Sequence, residues 1–218
     1  MTAAPLPLEV ACVLRSGGDF DPAWVLALYR GVRKYLPGAR FTCLTDTPMH
    51  ILGVRTIPMR HDWPRWWPKV ELFRPDAFPG SRVLYLDLDT LPVGDLSEIA
   101  AYRGPFAVLS DFYTPQVMAS GVMAWTPTAR TASIYEKFQA QPQAIMRAHP
   151  GRSDLWYRKV LPNPARLQDL FPGQIVSLKA HAKHSTPAGA RLVCGHGKPR
   201  FSHPSAGWAN ELWRARCM

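Results

Sequence analysis

Residues 83–91 read VLYLDLDTL, an apolar run of Val, Leu, Tyr and Leu that ends on two aspartates. A short run of this kind, preceded by Arg82 and closed by polar residues, predicts a buried strand over 82–86. In an extended chain residues i and i+2 share a face, so Asp87 and Asp89 are expected side by side just past the strand end. Ligands of open α/β sheets bind beyond the carboxyl ends of the strands. Two adjacent carboxylates repel each other, and a divalent cation would relieve that repulsion. Oxygen ligands suit Mg²⁺ or Mn²⁺, and such an ion would grip a diphosphate. As a bare motif Asp-x-Asp is common; directly after a buried strand it points to a metal site.

The flanks give the sheet its company. Strands are predicted over 8–14, 40–44, 54–57, 106–109, 121–125, 175–178 and 191–194. Asp21-Pro22 is a helix start, and Pro37-Gly38 stops the helix that runs through Trp24, Leu28, Val32 and Tyr35. Further helices are predicted over 66–73, 128–138 and 154–160. Strands alternating with helices favour an α/β fold. The expectation is one domain over 1–218. Residues 8–111 would form its nucleotide-binding part, and 112–205 an acceptor-binding, irregular C-terminal part.

Two other stretches carry chemistry. LVCGHGKPRF (192–201) delivers His196 and Lys198 from a short strand between glycines. His196 is a candidate nitrogen ligand to complete a metal site, and Lys198 a point charge suited to phosphate. HDWPRWWPKVELF (61–73) interleaves Trp63, Trp66 and Trp67 with Arg65 and Lys69. Such segments form core or the wall of a small-molecule pocket more often than a base-stacking surface.

Composition narrows the partners. The chain has 218 residues and a net charge of +10, with 47% hydrophobic residues, so it is neither disordered nor fibrous. Residues 1–111 hold 12 basic and 12 acidic side chains, while 112–218 hold 14 basic and only 4 acidic ones. All of the excess positive charge therefore lies in the second half, which implies an anionic partner. No 5–8-residue basic run, zinc spacing or RNA-recognition motif supports a nucleic acid. Cys12, Cys43, Cys194 and Cys217 form no C-x-x-C pair and are expected as free, mostly buried thiols. The N-terminus lacks a basic segment ahead of its apolar part, and no apolar run approaches the ~18 residues of a membrane span. The expectation is a soluble, cytoplasmic protein.

Taken in order, CVLRSGG, CLTD, WWPKVELF, VLYLDLDTLPVGDL, SGVMAW and GHGKPR resemble the GT-A class of nucleotide-sugar glycosyltransferases, closest to the family 8 type. The resemblance covers about residues 10–205. It implies a single Rossmann-like domain with a mixed, mostly parallel sheet, and transfer of a sugar from a nucleoside-diphosphate donor, UDP-linked by preference, to a hydroxyl acceptor. It implies a manganese (or magnesium) ion on Asp87, Asp89 and His196. It implies donor contacts from Leu14, Arg15, Asp46, Lys69, Asp87, Ser120, Gly121 and Lys198. Asp154 and Asp111 are the carboxylates available near the reacting sugar. Configuration is not legible: the likeness implies retention, without a nucleophile. The acceptor would be an anionic glycan or a lipid-linked one, with peripheral membrane contact for the surplus charge.

Two departures accompany the resemblance. The position six before Lys198, where the class carries its metal histidine, holds Leu192, and His196 lies only two before. Gly151-Arg152-Ser153-Asp154 stands where related chains carry Gly-Asp-Gln-Asp. That change also allows a degenerate, nucleotide-binding reading without turnover. Haloacid-dehalogenase-like phosphatases share the aspartate pair, but their Asp-x-Asp-x-Thr has Leu91 at the final position here. The later acidic pair they need is also missing.

Overall fold

A computed structural model describes residues 6–218. The elements are β1 (Leu8–Leu14), α1 (Pro22–Tyr35), β2 (Arg40–Thr45), β3 (Val54–Pro58), a 3-10 helix (Trp67–Phe73), β4 (Arg82–Leu86) and β5 (Thr90–Pro92). They continue with α2 (Ser97–Ala100), β6 (Phe106–Ser110), β7 (Met118–Trp125), α3 (Ala129–Ala140), α4 (Pro142–Ala148) and α5 (Asp154–Val160). The last are β8 (Ala165–Arg166), α6 (Leu167–Leu170), β9 (Ile175–Ser177), β10 (Leu192–Cys194), a 3-10 turn (Pro204–Ala206) and α7 (Trp208–Cys217).

Seven strands form one sheet in the order β3-β2-β1-β4-β7-β6-β8. Pairing is parallel except on both sides of β7. A second sheet, β5-β10-β9, is small. The apolar run of β1 is continuous because both faces of the large sheet are covered. Val10, Cys12 and Leu14 enter one core with Trp24, Leu28 and Val32 of α1, and Ala11 enters the other with Trp63, Trp67 and Phe73. On β4, Leu84 and Leu86 join the first core and Val83 and Tyr85 the second. The period of two thus aims Asp87 and its neighbours at the edge where both cores end.

Capping follows the sequence. Asp21 accepts from Ala23 N at 2.9 Å, with Pro22 in the first turn of α1. Thr128 and Thr131 bond each other's backbone at the start of α3. Cys12, Cys43 and Cys194 are buried free thiols. Among the described residues no helix is long and apolar enough to cross a membrane.

One local expectation is corrected. Asp87-Leu88-Asp89 is not extended; the chain turns there, burying Leu88 in the first core and leading Thr90 into the second sheet. A hydrophobic residue between two aspartates costs less in a turn that buries it than in a strand extension that exposes it.

Candidate functional site

The β4 end is fixed by pairing. Asp87 N donates to Gly121 O of β7 at 2.8 Å, and Asp89 O accepts from Gly195 N, just past β10, at 2.6 Å. A Cβ on Gly195 would stand 3.1 Å from Asp89 O and 3.0 Å from the Phe201 ring, so any larger residue would press on both. The aspartates thereby sit where the large and small sheets meet.

Each carboxylate faces a cation. Lys69 Nζ lies 2.6 Å from Asp87 Oδ1, and Arg200 Nη1 2.6 Å from Asp89 Oδ2. The Tyr85 hydroxyl also donates to Asp87. Lys69 is aimed by the 3-10 helix, whose buried Glu71 accepts from Arg60 N at 2.8 Å and His61 N at 3.0 Å and pairs with Arg74 at 2.5 Å.

Two cavities share Trp66, Lys69 and Asp87 as a common wall. The larger, about 590 Å³, runs from the loop after β1 (Arg15 to Phe20) to Asp89 and Arg200. The smaller, about 290 Å³, is lined by Asp111, Phe112, Ser120, Gly121, Asp154 and His196, among others. In the wall of the larger one, Asp89 is buried and its carboxyl is pushed up to about 7. Burial contributes most, the charge of Asp87 follows, and Arg200 and Lys69 oppose both. That like-charge penalty is what a bound cation relieves, so the aspartate pair fits a hard divalent ion.

His196 is engaged elsewhere. Its Nε2 lies 2.6 Å from Ser177 Oγ, and its ring stacks on Phe112 at 5.8 Å. Among the described residues no three His, Cys, Asp or Glu side chains gather as metal ligands. Lys198 is 74% exposed and pairs with Asp19 at 3.1 Å. Leu14 is buried in the first core and does not line either cavity, although its neighbours Val13 and Arg15 line the larger one. Arg15 lines the larger cavity and pairs with Asp62 at 2.6 Å. Asp46 takes Ser16 N and Oγ, each at 2.7 Å, and so fixes the loop rather than lining the cavity.

Ser120 donates to Asp154 Oδ1, and Arg152 Nη2 reaches Asp154 Oδ2 at 2.8 Å. Both Asp154 oxygens are therefore held. Asp111 Oδ1 accepts from Tyr113 N and Thr114 N, each at 3.0 Å, while its Oδ2 has only Arg152 at 3.7 Å. Arg200, Asp19, Phe20 and Arg152 are site residues that the sequence motifs did not single out. Arg200, one step past Lys198-Pro199, and Arg152, inside the altered Gly151–Asp154 segment, had a local signal; Asp19 and Phe20 had none.

A parallel sheet with β7 inserted antiparallel, an aspartate pair past its central strand and a small second sheet at that end make up the GT-A glycosyltransferase fold. Neither a protein-family model nor a curated protein sequence matches the chain. Among solved structures, the chain is similar to the galactosyltransferase LgtC in complex with donor and acceptor sugar analogues. The TM-score is 0.70 and identity 10%, covering 95% of this chain and 95% of that one. It is also similar to the glycosyltransferase GlyE of Streptococcus pneumoniae TIGR4, with a TM-score of 0.69 and 11% identity, over 98% of this chain. The chain spans 61% of the GlyE chain.

Proposed function

We propose that this protein is a glycosyltransferase that moves a sugar from a nucleoside-diphosphate donor, a UDP-sugar by preference, to a hydroxyl acceptor. The observation that carries the reading is the aspartate pair past β4: Asp87 lines both cavities and Asp89 the larger, where Arg15, Lys69 and Arg200 supply positive charge, while the smaller adds the carboxylates of Asp111 and Asp154. Asp87 and Asp89 would hold a Mn²⁺ or Mg²⁺, which would supply positive charge to the departing diphosphate.

The chain's own residues do the rest. The nucleotide lies in the larger cavity, between the Arg15–Phe20 loop and Trp66. As the glycosidic bond breaks, the leaving diphosphate gains negative charge, and Arg200 lines that cavity while Lys198 pairs with Asp19 in its wall. The sugar occupies the smaller cavity beside Ser120 and Gly121. Asp111, with its freer oxygen, orients the acceptor hydroxyl, and Asp154 holds Arg152 and Ser120 in place.

The test is thermal stabilisation by UDP, GDP, CMP and single-stranded DNA, each with and without Mn²⁺. We expect metal-dependent stabilisation by one nucleoside diphosphate, abolished in Asp89→Ala. Stabilisation by DNA that is steeply salt-sensitive and indifferent to metal would sink the reading. The Arg152–Asp154 lock favours one second reading, a donor-binding protein without turnover. Absence of hydrolysis with every donor that binds would support it.

A further inference from the structure

Arg200 touches both sides of the larger cavity at once. Nη1 donates to Asp89 Oδ2 at 2.6 Å, and Nε donates to Asp19 Oδ2 at 3.2 Å. The guanidinium carbon lies 4.8 Å from the centroid of the Phe20 ring. The side chain is 22% exposed, and the Asp89 side chain 10%, so the pair is largely withdrawn from water. Charge-assisted bonds of this kind are strong, and a planar guanidinium makes them in a fixed fork. Lys69 reaches only one carboxylate, both oxygens of Asp87, and lies over the Tyr85 ring at 5.4 Å, so it does not bridge two acidic residues as Arg200 does.

A guanidinium and a divalent ion on the same carboxylate repel each other, and in a half-buried site that repulsion is poorly screened. Arg200 therefore disfavours a metal ion at Asp89 for as long as it stays there. A diphosphate in the same cavity offers it a better partner, two charged oxygens in a geometry that matches the fork.

We propose that Arg200 is an exchangeable counterion that couples metal binding to donor binding. It neutralises Asp89 on its own and passes to the donor's diphosphate when a divalent ion takes the aspartates. The proposal rests on the reading that Asp87 and Asp89 serve a nucleoside-diphosphate donor. No covalent bond changes: one guanidinium–carboxylate pair is exchanged for a guanidinium–diphosphate pair. Asp19 and Phe20 keep the rest of the side chain in place, so Nη1 changes partner while the loop stays docked. By linkage, the metal strengthens diphosphate binding by the same factor as the diphosphate strengthens metal binding. Arg200 is in this respect a positioning residue with a specificity role: it holds the site neutral until both ligands arrive.

Calorimetric titration of the full chain tests this with Mn²⁺ alone, then with UDP, GDP and CDP at saturating Mn²⁺. The proteins are the parent, Arg200→Gln and Arg200→Lys. We expect Arg200→Gln to bind Mn²⁺ alone about tenfold more tightly and the preferred nucleoside diphosphate about tenfold more weakly, in the range of typical site-to-site couplings. Arg200→Lys keeps the charge without the fork and should fall between. A merely structural arginine would not improve metal affinity when removed. If Arg200→Gln binds Mn²⁺ alone no better than the parent, or the diphosphate equally well, the counterion role is overturned. Should Arg200→Gln fail to fold, a Lys variant matching the parent in both affinities overturns it equally. A parent chain that binds neither Mn²⁺ nor any nucleoside diphosphate would instead refute the donor-site reading itself.

Discussion

At the scale of single residues, the site depends on one glycine and one histidine in the same short segment. Gly195 lets Asp89 O and the Phe201 ring approach together, so Gly195→Ala forces backbone or ring to shift. We expect a loss of about 1–3 kcal/mol, the usual cost of overpacking, read from urea unfolding. His196 is held below its usual pKa first by burial and then by Lys179, with Asp111 opposing. A ring kept neutral in the fold but free to charge in the unfolded chain favours unfolding as pH drops. Its contribution is complete above about 6.5 and is lost as pH falls through the lower folded value. Hence the drop in melting temperature from about pH 8 to about pH 5.5 should be smaller in His196→Gln than in the parent. An equal or larger drop would contradict the assignment.

At the scale of elements, the 3-10 helix carrying Lys69 hangs on Glu71. Its carboxylate is fully buried, pairs with Arg74 and accepts from two backbone N–H groups of residues 60 and 61. Glu71→Ala strands a buried guanidinium, and we expect a loss of about 3–5 kcal/mol in chemical denaturation. Leu28→Ala, in the core stripe of α1, should cost about 2–5 kcal/mol by the same measurement. How far such elements could be read in advance varied with their physics. The runs at β1 and β4 were legible because burial on both faces forces continuous apolar sequence. The apolar run predicts a strand only over 121–125, whereas β7 starts three residues earlier at Met118, because Ala119 and Ser120 interrupt the apolar run. The three-residue strand β5 is too short for any periodicity to show. The helix α7 follows Gly207, with no polar side chain to cap its start, and its sequence WANELWRARC mixes buried and exposed residues. The aspartate pair and Lys69 were visible as motifs. Arg200's partner Asp19 was not, because 181 residues separate them and only the fold brings them together.

At the scale of the whole molecule, the late residues close over the early ones. Trp213 of α7 packs on Trp24 of α1 with ring centroids 4.9 Å apart, and Arg216 donates to Pro92 O of β5 at 2.7 Å. Phe201, next to Arg200, stacks on the same Trp24 at 6.2 Å. Removing residues 208–218 would uncover Trp24 and leave Pro92 O unpaired. We expect the shortened chain to lose its sharp thermal transition and its near-ultraviolet circular dichroism. A sharp transition at the parent temperature would show that α7 is dispensable. The uneven charge fits this arrangement. The neutral first half supplies the aspartates, and the basic second half folds back with Lys198 and Arg200 to meet Asp19 and Asp89.

That closure has a consequence for how the protein is made. A ribosome releases the chain from its N-terminus, so the loop after β1 and both aspartates emerge long before the arginine that joins them. A nascent chain halted between 93 and 191 carries Asp89 without its counterion and β5 without β10, its partner in the small sheet. A carboxylate left unpaired in a buried place opposes compaction around it. The small sheet and the Arg200–Asp89 pair therefore form late in synthesis, once position 200 clears the exit tunnel.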